Sequence, residues 1–336
     1  IAFAINNYTR YTGDYAYLAD YGLRVLIAIS RFWAQRVNIS TEKKKYVILG
    51  VTGPNMYENN VNNNWFTNFI ATWSLQFTID SIEKVKKIDF RKYEDLIQEI
   101  QFNADEIFLW KDIIENMYYP ENKELGIFVQ QDGFLDKALI KVDDIPESQL
   151  PINQHWTWDK ILRSSFIRQA DVVQGLYIFD DLFDVETIKR NFDFYEPYTV
   201  HESSISASTH SIVASTIGNK QKAYELYLRT ARLDLDDYNN EVAEGLHITS
   251  MAGTWLAIVQ GFGGMRVKND KLHFNPHIPE KWNAFAFNIL FRGNQLNIRV
   301  EKDRTIIHNI KGGTLELYLN NQLVEVLAES QREIKN

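Results

Sequence analysis

Gly261-Phe262-Gly263-Gly264-Met265 divides this sequence into two kinds of pattern. Upstream, apolar residues recur every three to four positions, the period of a helix with one buried face. Downstream they alternate in twos, the period of a half-buried strand. The glycines follow a helical pattern and precede a strand. That is the reverse of a nucleotide-binding loop, so phosphate cradling is not expected there.

Working backward, His247 to Gln260, Lys220 to Leu235, Ser203 to Ile217, Val185 to Phe194 and Phe166 to Phe179 read as helices. Residues 119–160 read as irregular, broken by Pro120, Pro146 and Pro151. Earlier still, Tyr93 to Met117 and Trp65 to Lys87 carry strong helical faces, and a further helix follows Thr12-Gly13-Asp14 and ends near Val37. About eight helices with no fixed-period motif favour an α/α barrel over a solenoid. Working forward, Lys271–Phe274, Phe285–Phe291, Leu296–Val300 and Thr314–Tyr318 alternate, separated by turns at Arg292-Gly293-Asn294, Lys311-Gly312-Gly313 and Asn320-Asn321. The expectation is a helical domain over residues 1–265 and a small antiparallel β domain over 266–336. The first residues, Ile1-Ala2-Phe3-Ala4-Ile5, read as the inside of a helix, which suggests a piece of a longer protein.

Composition narrows the chemistry. A net charge of -8 with no Lys/Arg stripe argues against nucleic-acid binding. No apolar run approaches the roughly 18 residues of a membrane helix, and a cytoplasmic protein is expected. With no cysteine in 336 residues, thiol and zinc-thiolate chemistry are excluded. No histidine pair has metal-ligand spacing, so no metal and no cofactor are expected. Eight Trp and 17 Tyr suit a carbohydrate cleft, and equally a large helical core.

One loop concentrates candidate binding groups. Gly50-Val51-Thr52-Gly53-Pro54-Asn55-Met56-Tyr57-Glu58-Asn59-Asn60-Val61-Asn62-Asn63-Asn64 precedes the helix that opens at Trp65. Its six carboxamides offer donors and acceptors that do not titrate, which suits sugar hydroxyls. The competing reading is a polar connection that caps the helix. Trp65 can stack on a sugar or pack in the core.

The loop, together with Trp110-Lys111-Asp112-Ile113-Ile114, Gln130-Gln131-Asp132-Gly133-Phe134, Arg168-Gln169-Ala170-Asp171-Val172, His201-Glu202-Ser203-Ser204, Gly245-Leu246-His247-Ile248-Thr249-Ser250 and Gly253-Thr254-Trp255, resembles glycoside hydrolase family 65, most closely its maltose-phosphorolysing members from lactic acid bacteria. The resemblance runs almost end to end. It implies a mainly α fold: an (α/α)6 barrel, here incomplete because its N-terminal helices are missing, followed by the β domain. It also implies inverting phosphorolysis of an α-glucosidic disaccharide, maltose first, to β-glucose 1-phosphate and glucose. Disaccharide and inorganic phosphate are the implied partners, with a homodimer common among members.

The family's general acid is a Glu in a Gly-Pro-(Asp/Asn)-Glu-Tyr segment, and that position here is Met56. A thioether donates no proton, so impaired activity is expected, with Glu58 as a possible substitute acid. Arg168 and Gln169 stand where the family has a substrate-contacting Lys-Gln pair. His201, Ser203, Ser204 and His247 fall where the resemblance implies phosphate binding. Two alternatives remain: an α-glucoside hydrolase of the same fold, with Glu202 as base, and a non-catalytic carbohydrate-binding relative.

Overall fold

The computed structural model describes residues 1–335 and resolves the chain into two compact units. The first comprises residues 1–51, 60–120 and 130–132; the second takes residues 52–59, 121–129 and 133 onward.

In the first unit, α1 (Ala2–Thr12), α2 (Leu23–Arg36), α3 (Trp65–Ile88), α4 (Phe90–Glu99) and α5 (Asp105–Asn116) are joined by a π-turn at Leu18–Gly22 and a hairpin of β1 (Asn38–Ser40) and β2 (Lys45–Val47). Leu23, Leu26 and Ile27 of α2 share a buried cluster with Leu75 and Ile82 of α3 and Trp110 and Ile113 of α5. Fully burying each such side chain is worth roughly 1.5–3 kcal/mol before entropy is counted. Within that cluster Ser30 donates to Thr78 at 2.8 Å, so the one buried hydroxyl pair on this seam is satisfied. The single helix expected over Tyr93–Met117 is two. Gln101 takes a left-handed φ of 51° and breaks the run, and Asn103 accepts from the Asp105 amide to start α5.

The asparagine loop serves the backbone. Asn64 caps α3, accepting from the Thr67 amide at 2.9 Å while donating to Gln130 O at 3.1 Å. Asn63 accepts from the Ile48 amide and donates to Asp132 Oδ2 at 2.6 Å, and Asn62 accepts from the Gly50 amide. These three carboxamides fold the loop, so the capping reading holds for them and the sugar-facing reading does not.

The second unit begins with residues 52–59 and the short pair β3 (Glu121–Asn122) and β4 (Ile127–Phe128). Residues 152–162 form two single turns, α6 (Ile152–His155) and α7 (Trp158–Leu162). Next come α8 (Val172–Ile178), α9 (Val185–Tyr195), α10 (Ser206–Thr216), α11 (Lys220–Ala231), α12 (Leu233–Asp236) and α13 (Ile248–Leu256), the last running into a π-helical turn at Ala257–Phe262. The helix expected from Phe166 begins six residues later. Ile167 instead lies beside Thr199 in a parallel bridge, donating to Tyr198 O and accepting from the Val200 amide. That extended pairing puts Arg168 and Gln169 beside the strap Thr199–Ser204.

At the glycine junction, Gly264 has φ 59°, and a Cβ there would lie 2.4 Å from Asn275 O. No other residue fits. Beyond it, β5 (Arg266–Lys268), β6 (Lys271–Phe274), β7 (Ala284–Phe291), β8 (Asn294–Glu301), β9 (Arg304–Lys311), β10 (Leu315–Leu319), β11 (Gln322–Val326) and β12 (Gln331–Lys335) form two four-stranded sheets, ordered β11-β10-β6-β5 and β12-β9-β8-β7. All pairs are antiparallel except β6 with β10, which run parallel with Leu317 opposite Leu272. The chain is thus mainly helical with a β domain at its end.

Candidate active site

The site grows from the turn Asn55–Glu58. Asn55 is fully buried: its amide donates to Asp171 Oδ2 at 3.0 Å, and its Oδ1 accepts from the Arg168 amide at 3.0 Å and the Tyr57 amide at 3.2 Å. One carboxamide therefore fixes the turn and the Arg168 segment together.

Tyr57 and Glu58 then point into protein. The Tyr57 hydroxyl donates to Glu202, and burial followed by that carboxylate pushes its pKa up. Glu58 forms a buried ion pair with Lys137; the two side chains are only 4% and 14% exposed. Met56, just before them, is 51% exposed. The turn offers solvent a thioether and ties its one carboxylate to a cation.

Glu202, the carboxylate that a hydrolase would use as base, is equally committed. It accepts from Tyr57, from the Ile152 amide at 2.6 Å and from the Asn153 amide at 3.3 Å. Three donors inside the protein occupy its oxygens, so neither is left open to orient an attacking water.

The strap around it is held by two guanidiniums. Arg168 Nε donates to Glu202 O at 2.7 Å, with its guanidinium carbon 6.0 Å from the Tyr57 ring centre. Arg229 Nη2 donates to Val200 O at 3.1 Å and reaches His201 O at 3.5 Å. Beyond the carbonyls, Ser203 donates to Gln169 Oε1 at 2.6 Å, and Ser204 shares a 2.5 Å hydrogen bond with Thr249. His247, two residues before Thr249, is oriented by Asp234: its Nδ1 lies 2.5 Å from Asp234 Oδ1, and its amide donates to Oδ2 at 3.0 Å. Those bonds hold the Asp234 carboxyl below its ordinary value, the amide contributing most.

His201 is the strap's anchor. It takes a left-handed φ of 55° and is almost fully buried. Burial pushes its pKa down to about 4 against the opposing pull of Glu196, so the ring is neutral at pH 7. The neutral ring uses both nitrogens: Nδ1 accepts from Ser206 at 2.9 Å, and Nε2 faces Glu196 at 3.5 Å. Glu196 also accepts from His210 Nδ1. Burial would raise the Glu196 pKa, but His210 and His201 outweigh it and hold it well below the usual range.

The structure therefore brings Met56, Arg168, Gln169, Ser203, Ser204 and His247 into one connected network of the second unit. His201 backs that network with no free ring nitrogen to offer an anion. Trp65 lies in the first unit, 1% exposed and stacked on Phe69 at 5.1 Å, and such burial leaves no ring face for a sugar. Glu196, His201 and His210 bring three ligand-type atoms within 4.8 Å, a cluster the sequence spacing did not announce. Their direct hydrogen bonds account for it. Arg229, Lys137 and Asp171 were also missed, since each meets the site across long stretches of chain.

Comparison with known proteins fits this geometry. Residues 1–256 match the model of the glycosyl hydrolase family 65 central catalytic domain, and residues 265–326 match that family's C-terminal domain. The chain is 51% identical over 336 residues to the maltose phosphorylase of Bacillus subtilis (strain 168), covering all of this chain and 44% of that protein. It is 40% identical over 319 residues to the alpha,alpha-trehalose phosphorylase of Thermoanaerobacter brockii, covering 95% and 41%. A solved structure, a putative kojibiose phosphorylase from human microbiome, superposes with a TM-score of 0.90 at 34% identity, covering 100% of this chain and 49% of that one. The chain spans less than half the length of each of these relatives.

Proposed function

The chain belongs to glycosyl hydrolase family 65, and from that premise we propose that it carries the phosphate side of an inverting disaccharide phosphorylase whose substrate is an α-glucoside, maltose first. The helical residues 1–265 form part of an (α/α)6 barrel in this reading, and residues 266–336 form its appended β domain. Inorganic phosphate is the co-substrate, no other cofactor takes part, and the enzyme acts in the cytoplasm, as a homodimer.

The chemistry asks for two things. A proton must reach the glycosidic oxygen as the bond to C1 breaks, and a phosphate oxygen must attack C1 from the opposite face. Phosphate is already an anion, so no general base is needed, only donors and positive charge to hold it. Arg168 and Gln169 contact substrate, and Ser203, Ser204 and His247 hold the phosphate. His201 supports the strap from behind, and Met56 marks the place of the proton donor. Glu58, ion-paired with Lys137, does not replace it.

The observation that carries this reading is Glu202. A hydrolase would need it as a base, and its carboxylate already accepts three hydrogen bonds inside the protein. Incubation with maltose and inorganic phosphate should release β-glucose 1-phosphate and glucose in equal amounts, slowly. Glucose release that persists at the same rate in phosphate-free buffer sinks the proposal in favour of hydrolysis. Exposed Met56 favours a second reading, a carbohydrate-binding relative without catalysis. Maltose binding with no product in either buffer after prolonged incubation supports that one.

A further inference from the structure

Arg229 sits on α11 with most of its side chain buried, in a protein of net charge -8, yet it has no ion-pair partner among the described residues. Only Nη2 is used, on the carbonyls of Val200 and His201. Nε is buried without a partner, and among the described residues Nη1 donates no hydrogen bond. The Tyr238 ring supports one side, with the guanidinium carbon 5.5 Å from its centre. Burial pulls the Arg229 pKa below its ordinary value, and the more distant Tyr238, Glu202 and Glu196 compensate only in part. A desolvated guanidinium short of a counter-ion is costly unless an anion completes it.

The surroundings indicate which anion. Arg229 grips the strap at His201 O, two residues before Ser203 and three before Ser204. Ser204 is bonded to Thr249 on α13. The next residue, Ser250, donates to Thr230 O on α11 at 2.5 Å, beside Arg229 in sequence. Thus α11, α13 and the strap are tied at their hydroxyls, with His247 at the start of α13. Arg168 holds the next carbonyl of the strap, Glu202 O, and likewise has no ion-pair partner among the described residues. A tetrahedral oxyanion with two negative charges matches two guanidiniums plus the one O–H proton that the Ser204–Thr249 hydrogen bond leaves over, since planar forks and a hydroxyl can engage several of its oxygens at once.

We propose that Arg229 is a phosphate-binding residue, its free guanidinium edge supplying a second positive charge in addition to Arg168. The proposal rests on the phosphorolytic reading above. It is tested by calorimetric titration of inorganic phosphate, and separately of maltose, into the full chain. Arg229→Gln keeps a donor for the strap carbonyl and removes the charge. It should weaken phosphate binding at least tenfold, flatten the salt dependence of that binding, and leave maltose affinity within twofold; Arg229→Lys should recover part of the loss. Phosphate affinity within threefold of the wild type in Arg229→Gln, or equal loss of phosphate and maltose, overturns the assignment. Should Arg229→Gln not fold, Arg229→Lys decides it: a threefold or greater loss for phosphate alone supports the role, and unchanged affinity refutes it. A wild-type chain that binds maltose but no phosphate would instead bring down the phosphorolytic reading itself.

Discussion

The turn Asn55–Glu58 and the strap Thr199–Ser204 face the same task with opposite designs. In the turn the polar contacts run inward: the Asn55 amide donates to Asp171 and its Oδ1 accepts from the Tyr57 and Arg168 amides, while its Nδ2 is buried without a partner; Tyr57 donates to Glu202, and Glu58 pairs with Lys137. What it leaves in solvent is Met56. In the strap the carbonyls are capped by Arg168 and Arg229 and the Ser203 and Ser204 hydroxyls bond Gln169 and Thr249, while part of the Arg229 guanidinium is left without a partner. In the phosphorolytic reading proposed above, the difference separates the two functions needed at once: the strap would hold the anion, and the turn would be the proton-donating half without its donor.

The sharpest way to test that division is Met56→Glu. The position is exposed and the turn is held by its neighbours, so the substitution needs no repacking. It should raise the rate of maltose phosphorolysis by about 10²–10⁴, the ordinary contribution of a general acid, with no effect on phosphate affinity. The measurement is β-glucose 1-phosphate formed per unit time at saturating phosphate. A gain below threefold would mean that the turn is not the proton-donating half.

Next in size is the ion pair beneath the turn. Lys137→Met removes the ion-pair partner of the Glu58 carboxylate in a site where it is 3% exposed, and breaking one half of a buried pair costs about 3–5 kcal/mol. Urea denaturation should show that loss, and the double variant Lys137→Met, Glu58→Leu should recover most of it. If Lys137→Met instead unfolds at the wild-type midpoint, the ion pair does not hold Glu58 in place and the substitute-acid reading regains ground.

How much of this was legible beforehand follows the range of the interactions. Periodicity alone placed α3 within a residue, and alternation placed β7 and β8, because both are local consequences of one buried face. The break at Gln101 was not legible, since a left-handed non-glycine residue has no strong sequence mark. Strand β9 was missed: Arg304–Lys311 carries the polar pair His308 and Asn309, and Asn309 is buried, donating to Gly313 O. The site divides the same way. Ser203, Ser204 and His247 enter as candidates through the family resemblance, whereas Arg229, proposed above as a phosphate ligand, does not. Its neighbours on α11 form an ordinary charged helix, and only the fold sets its side chain against carbonyls 28 and 29 residues away. Trp65 shows the converse error, a residue type suited to sugar that the core had already claimed.

The smallest expected effect distinguishes the two regions by pH. The strap is backed by a buried histidine: His201 packs against Glu196, His210 and Ser206, with Lys222 Nζ 3.8 Å from the Glu196 carboxylate and Arg229 on its own carbonyl. The folded-state pKa of His201 is pushed down to about 4, below the roughly 6.5 of an unfolded histidine. Between those values the unfolded chain binds more protons, so stability is fully present above about pH 6.5 and falls as the pH drops towards 4. At pH 5 the loss from this one residue is about 2 kcal/mol. His277, in the same unit and also pushed to about 4 by burial, adds a comparable loss. Glu196, held low, adds its own only below the ordinary glutamate range. Comparing urea midpoints at pH 7.5 and pH 5 should therefore show a drop that His201→Asn reduces by about half, because asparagine tolerates the left-handed backbone without carrying a proton. His277→Phe should remove a similar share, and the two effects should add because the residues share no partner. An acid-induced loss that survives both substitutions would place the sensitive groups elsewhere, and the strap would then be no more pH-dependent than the turn.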